Sequence, residues 1–244
     1  MGRRRFYRKR WTPLKKVYTN TSAKAQAKQI AYLNKKVNRL TYANRPEIKQ
    51  WISAYGSKQF SSSALSTTFK TIYLKGPNKG EDQGERIGDN IKVKNISARF
   101  YFEYYNTAAS GFHNSESSGA CVRIIALQRK NTERSYDTTI DANSVIFNYS
   151  GSGSGYTLGC SSPLVPDITS MFRVLYDKTR TITLQRNQLV WEVNLKKIGP
   201  WVYKSDNYVN NVCFLVVVTG LHADSDFTEY VNETDTVKIA YTDN

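Results

Sequence analysis

The chain has 244 residues, room for one sizeable domain or two small ones, and its 40% hydrophobic and 13% aromatic content suffices for a packed core. No run of about eighteen apolar residues occurs, which excludes an ordinary membrane-spanning helix. The net charge of +15 is segregated: 14 of the 35 basic groups lie in residues 1–46, which hold no Asp or Glu, leaving 21 against 20 acidic groups in the rest. Like charges gathered without internal partners call for an external polyanion.

Residues 1–20 lack apolar periodicity and cannot bury enough surface to offset ordering entropy, so alone they are expected to be a disordered basic arm. Within it Arg3, Arg4, Arg5, Arg8, Lys9, Arg10, Lys15 and Lys16 can each neutralise a phosphate and release a counterion. Interleaved with them, Phe6, Tyr7 and Trp11 offer planes on which unpaired bases stack, a contact suited to single strands and tolerant of sequence. Without a fixed scaffold the arm is not expected to read bases. The run RRRFYRKR also reads as a nuclear-import signal, which would engage host import machinery. No apolar stretch follows the basic start, so it does not read as a secretory signal, and synthesis inside a cell without membrane insertion is the expectation.

The segment 21–44 reads as an amphipathic helix from Ser22 to Tyr42. Ser22 is a good N-cap, and Pro46 ends the pattern because it disfavours helix at Arg45. Ala23, Gln26, Ile30, Leu33, Val37 and Leu40 alternate at spacings of three and four, which places them on one side. Lys24, Lys28, Lys35 and Arg39 form a stripe on the opposite side, flanked by Lys36, and extend the candidate nucleic-acid surface. The seam spans only about three heptads and its flanks hold no acid, so docking on a folded domain or a neighbouring subunit fits it at least as well as self-pairing.

From Gln50 onward period two and short apolar runs take over. The pattern predicts strands at 65–75, 91–105, 120–129, 144–149, 172–186, 189–197, 211–220 and 235–241. Eight strands with no intervening helix make residues 47–244 an all-β sandwich domain. In 91–105 the apolar phase shifts from Ile91 and Val93 to Ile96, Ala98, Phe100, Phe102 and Tyr104. Strand parity cannot change without an extra residue, so a bulge is expected near Asn95. CFLVVV has no alternation and should be an interior strand covered on both faces. Phe100, Phe102, Ile124, Val174, Trp191, Leu215 and Val217 are the expected core. Long connections at 76–90, 106–119, 150–170 and 198–210 are places for function or subunit contact.

Catalytic chemistry finds little purchase. The two histidines, His113 and His222, sit in separate loops, and a P-loop, a GxSxG elbow and a His-x-His pair are all missing. GSGSG at 151–155 lacks the Lys-Ser/Thr and helix onset of a phosphate cradle. Cys121, Cys160 and Cys213 are widely spaced and read as buried reduced thiols, not a disulfide framework or zinc site. Glu81, Asp82 and Glu85 form a solvated loop cluster without the regular alternation of a calcium site. Neither a catalytic site, a metal nor a cofactor is expected.

Three segments carry a resemblance. ERIGDNIKVKNISARFYF, from Glu85 to Phe102, resembles the Arg-x-Gly-x-x-Ile stretch entering the second strand of circovirus-like capsid proteins, from viruses with small circular single-stranded DNA genomes. FRVLYDKT, from Phe172 to Thr179, resembles their recurring "v-l-y-D-k-t" segment, and TVKIAYTD is similar to their closing strand. The resemblance implies a single eight-stranded jelly roll and a shell of about sixty identical subunits with T=1 icosahedral symmetry. It also implies a basic arm inside against DNA, a virion location with assembly in the host nucleus, and a cell-surface receptor it does not identify. Arms from about sixty copies would carry about 840 positive charges, enough to offset much of a genome of the order of a thousand nucleotides. The Ser22–Tyr42 helix departs from the family pattern and marks a divergent relative. Two other readings of arm plus sandwich are the capsid protein of a small RNA satellite virus and a non-viral nucleic-acid-binding β-sandwich protein.

Overall fold

The computed structural model describes residues 22–43, 46–61, 69–82, 84–108, 119–130, 145–146, 160–196, 198–204, 207–209, 211–221 and 227–243. Two compact units divide the chain between Pro46 and Glu47. In the first unit, helix α1 runs Ala23–Ala43, one residue beyond the expected end. Ser22 caps it as its sequence position requires. The Ser22 carbonyl accepts from the Ala25 and Gln26 amides at 2.9 Å each, and its Oγ accepts from the Ala25 amide at 3.4 Å.

In the second unit the described elements are β1 (Lys49–Ser53), β2 (Ser57–Ser61), β3 (Phe69–Tyr73), β4 (Asn90–Ala108), β5 (Ala120–Arg129) and a short helix α2 (Ile168–Met171). They continue with β6 (Phe172–Ile182), β7 (Gln188–Lys196), β8 (Pro200–Lys204), β9 (Asn207–Val209), β10 (Val212–Thr219) and β11 (Phe227–Asp243). The all-β expectation holds: two antiparallel sheets face each other across a common core. The larger has the order β1–β11–β4–β8–β9, with β2 also beside β11 and β7 also beside β4. The smaller has the order β3–β10–β5–β6.

The inner faces supply one large core. Phe100, Phe102 and Trp191 come from the larger sheet and Ile72, Ile124 and Phe214 from the smaller, all essentially without solvent contact. Phe100 meets Phe214 edge to face across the sheets at 5.5 Å. The interior strand CFLVVV lies between β3 and β5 with both faces covered, as its continuous apolar run requires. Its even-numbered residues enter the main core. Cys213, Leu215 and Val217 join a second cluster with Ile125, Leu127, Val145, Ile146, Cys160, Ile168 and Phe172 on the outer side of the smaller sheet. Val174 belongs to the edge of that second cluster and is only partly buried.

The expected bulge is present. Ala240 pairs with Asn95 and Tyr241 with Val93, so Lys94 is the extra residue. Val93 and Ile96 consequently both face the core, although their spacing is odd.

Other expectations need correction. Eleven strands are described, not eight. The strand expected at 172–186 stops at Ile182, where Thr183 and Arg186 close a turn (amide to carbonyl, 3.0 Å) that carries the chain to the other sheet. Of 144–149 only Val145 and Ile146 are described, a turn residue and a single bridge to Leu164; the rest of that expected strand lies outside the described residues. The connection expected at 198–210 contains β8 and β9. β1 and β2 were not foreseen because each is short, polar and at an edge, with little apolar alternation to reveal it. The first half of β11 was hidden for a different reason: Glu229, Glu233 and Asp235 occupy core-facing positions and break the apolar period.

Candidate nucleic-acid interface

Helix α1 carries the expected basic stripe. At 100° per residue Lys24, Lys28, Lys35 and Arg39 fall on one side, with Lys36 on the flank, and all five are exposed. Ile30, Leu33, Val37 and Leu40 line the opposite side and are 59, 46, 56 and 57% exposed. Arg3, Arg4, Arg5, Phe6, Tyr7, Arg8, Lys9, Arg10, Trp11, Lys15 and Lys16 lie outside the described residues, as do both histidines.

In the β domain the segments that carried the resemblance hold the fold together. Arg86 is nearly buried, with its guanidinium 3.8 Å from the centre of the Tyr203 ring, and it donates to the Gly88 carbonyl at 2.7 Å. It thereby shapes the approach to β4. Asp177 accepts two 2.7 Å hydrogen bonds from Arg123, the fork-to-fork arrangement that suits guanidinium and carboxylate. The same Arg123 donates to the carbonyls of Cys160 and Ser162, tying that segment over the smaller sheet. In the closing strand Val237, Ile239 and Tyr241 face the core, and the Tyr241 hydroxyl donates to the Gly84 carbonyl at 2.9 Å.

A further basic group was not foreseen because the β domain is nearly neutral in total. It lies on the outer face of the larger sheet. Lys92, Lys94 and Arg99 on β4, Lys196 on β7 and Lys238 on β11 all point outward and are exposed. Strand registry makes them neighbours: Lys196 stands opposite Asn95, and Lys238 opposite Ser97. The signal that can find part of this group is the phase shift in 91–105. Once the apolar residues on both sides of the bulge face inward, Lys92 and Lys94 must share a face with Ser97 and Arg99.

Buried charge gathers where β2, β3 and β11 meet. Lys70 Nζ lies 2.7 Å from Glu233 Oε2 and 2.5 Å from Asp235 Oδ2, and also donates to the Gly56 carbonyl at 2.8 Å. The Tyr55 amide donates to Asp235 Oδ1 at 3.0 Å, and Lys58 donates to the Phe69 carbonyl at 2.5 Å. Burial pushes the Glu233 carboxyl up to about 7 despite Lys70, with Asp235 adding to the rise. Burial, reinforced by Lys70, lowers the Lys58 ammonium from its ordinary value. This is an inter-sheet clamp, closed to a macromolecular ligand.

The cysteines are unpaired; Cys160 and Cys213 are buried and Cys121 partly so. Burial raises the Cys160 and Cys213 thiols to about 12, so neither supplies a thiolate at neutral pH. Among the described residues no three His, Cys, Asp or Glu side chains gather where they could hold a metal ion. Glu85 turns back on its own loop, its Oε2 accepting from the Asp82 amide at 3.1 Å.

The chain matches no protein-family model and no curated protein.

Proposed function

We propose that this protein is the capsid subunit of a circovirus-like virus, a jelly roll that assembles with identical copies into a small icosahedral shell and packages single-stranded DNA through its basic N-terminal segment. The strand order of the two sheets carries the proposal. Counting β1 with β2 as one row and β7 with β8 as another gives four rows in each sheet, with the three-residue β9 added beside β8 at the edge of the larger one. Numbered along the chain, the larger sheet then runs first–eighth–third–sixth and the smaller second–seventh–fourth–fifth. That order fits two interlocked Greek keys, the plan of viral capsid domains and some lectins and cupins, and so supports the jelly-roll reading. Among these classes, the acid-free basic segment before the sandwich favours a capsid, since 14 cationic groups need a polyanion. DNA over RNA rests on the likeness of the Glu85–Phe102, Phe172–Thr179 and closing-strand segments to circovirus-like proteins. The arm's basic run supports passage through the host nucleus before entry into the virion.

Electron microscopy of the expressed full chain tests the reading. Shells of uniform diameter are expected, with nucleic acid inside that resists nuclease until the shell is opened. A small oligomer that binds nucleic acid without closing into a shell would favour a non-viral adaptor. Extracted genomes degraded by RNase and not by DNase would move the protein to an RNA satellite virus.

A further inference from the structure

The outer faces of the two sheets differ. That of the smaller sheet is apolar and is covered by Val145, Ile146, Cys160 and Ile168. The larger sheet instead turns hydroxyls, amides and charges outward, and its charge is uneven along the strands. Toward the start of β4 the face carries Lys92, Lys94, Arg99, Lys196 and Lys238 against a single acid among the described residues, Glu192. Glu192 stands 3.7 Å from Arg99 with both side chains about two-thirds exposed, too open a pair to cancel much charge. None of the four lysines makes an ion pair or side-chain hydrogen bond among the described residues, whereas nearby Lys49 is matched by Asp243 at 2.9 Å.

The β4 bulge builds this patch. Without Lys94 the strand would alternate regularly and the face would lose one of its lysines. With it, Lys92 and Lys94 come onto the same side as Ser97 and Arg99 while Ile91, Val93, Ile96 and Ala98 of the same strand stay inside. Beside the lysines is an open depression of about 390 Å³ whose lining includes Ile52, Ser97, Asn194 and Thr236, with Arg99 and Lys238 outnumbering the carboxylate of Glu192. Ile52, 62% exposed, offers an apolar surface there, next to side chains that can donate and accept hydrogen bonds. A polynucleotide matches this pairing of features, with phosphates for the cations and a base for the recess. A duplex keeps its bases inside, so the recess suits an unpaired strand.

We infer that the bulged end of this face, Lys92, Lys94, Lys196 and Lys238 with Arg99, binds the sugar-phosphate backbone of single-stranded nucleic acid. It is a second site on the folded domain, beyond the N-terminal segment. The inference rests on the packaging reading and adds to it a fixed surface over which the strand runs.

The test uses the full chain and a fluorescent oligothymidylate of about thirty nucleotides, titrated across a salt series. Each phosphate neutralised on a single strand contributes about 0.7 to the slope of log K against log salt. The variant Lys92→Gln, Lys94→Gln, Lys196→Gln and Lys238→Gln should therefore lose about 2 to 3 from that slope. A charge-matched control, Lys75→Gln, Arg173→Gln, Lys178→Gln and Arg186→Gln, should change it by less than about 0.7. Equal losses in the two variants would make the effect one of net charge and overturn the site. An unchanged slope in the first variant would also overturn it, and if shells then failed to form, the face would be a contact between copies. A parent chain that binds no oligonucleotide would overturn the packaging reading, and the site with it.

Discussion

Glu233 carries a carboxyl with no solvent exposure. It sits on the core face of β11, its Oε2 held by Lys70 and its Oε1 without a hydrogen-bond partner among the described residues. Its carboxyl, raised from 4.5 to about 7, binds a proton more tightly in the folded state than in the unfolded chain. The stability contributed by that proton is fully present below about pH 4.5 and is lost as pH rises through about 7. Between pH 5 and 8 the loss should be on the order of 2–3 kcal/mol, and Glu233→Gln should reduce it to under about 1, measured by urea unfolding at several pH values. A parent whose stability does not fall over that range would show the carboxylate to be satisfied by Lys70. Phe102 is the apolar counterpart, wholly buried and stacked beside Phe100 at 6.3 Å. Phe102→Ala should cost about 3–5 kcal/mol in the same assay, the transfer of the ring plus the cavity it leaves.

At the level of elements, β4 makes a sharper claim than any single side chain. Lys94 is the residue that its partner strand skips, so deleting it joins Val93 to Asn95 and leaves Ile91, Val93, Ile96 and Ala98 all facing inward. Deleting Ser97, three residues on, would throw the whole N-terminal half of β4 out of phase. The Lys94 deletion should therefore fold with a single cooperative transition and the Ser97 deletion should not, a contrast that circular dichroism and thermal melting can read. Helix α1 stands on weaker support. No acid lies in its first turn and no base in its last, so its dipole is uncompensated and its basic stripe repels itself. An isolated helix of this length is marginal in water, and contact with a polyanion on the basic side would relieve the repulsion.

On the scale of the whole molecule, charge and fold are separate properties of separate units. Glu47–Asn244 contains every described strand and both apolar clusters. A chain beginning at Glu47 should keep the cooperative unfolding of the β domain, because no described element of its core is removed. The same truncation removes 14 basic groups, and the salt slope for single-stranded DNA should drop to the share carried by the sheet face, about 3. A slope equal to that of the full chain would place the whole of the binding on the β domain.

Much of this was legible along the chain because it is local. The Ser22 cap, the stop before Pro46 and the cationic stripe follow from the spacing of neighbours on a helix. The bulge at Lys94 follows from parity within one strand, and the interior position of β10 from its unbroken apolar run. What neighbours cannot convey is which strand pairs with which. The clamp among Tyr55, Lys70 and Asp235 joins positions up to 180 residues apart, and it turns Glu233 and Asp235 inward where alternation alone left the first half of β11 unread. Lys92 and Lys94 share a face by parity, but Lys196 and Lys238 join them only because β7 and β11 flank β4 in a particular register. Tertiary structure decided these points because they depend on the matching of distant surfaces, where burial and hydrogen bonding are shared between segments that carry no record of each other.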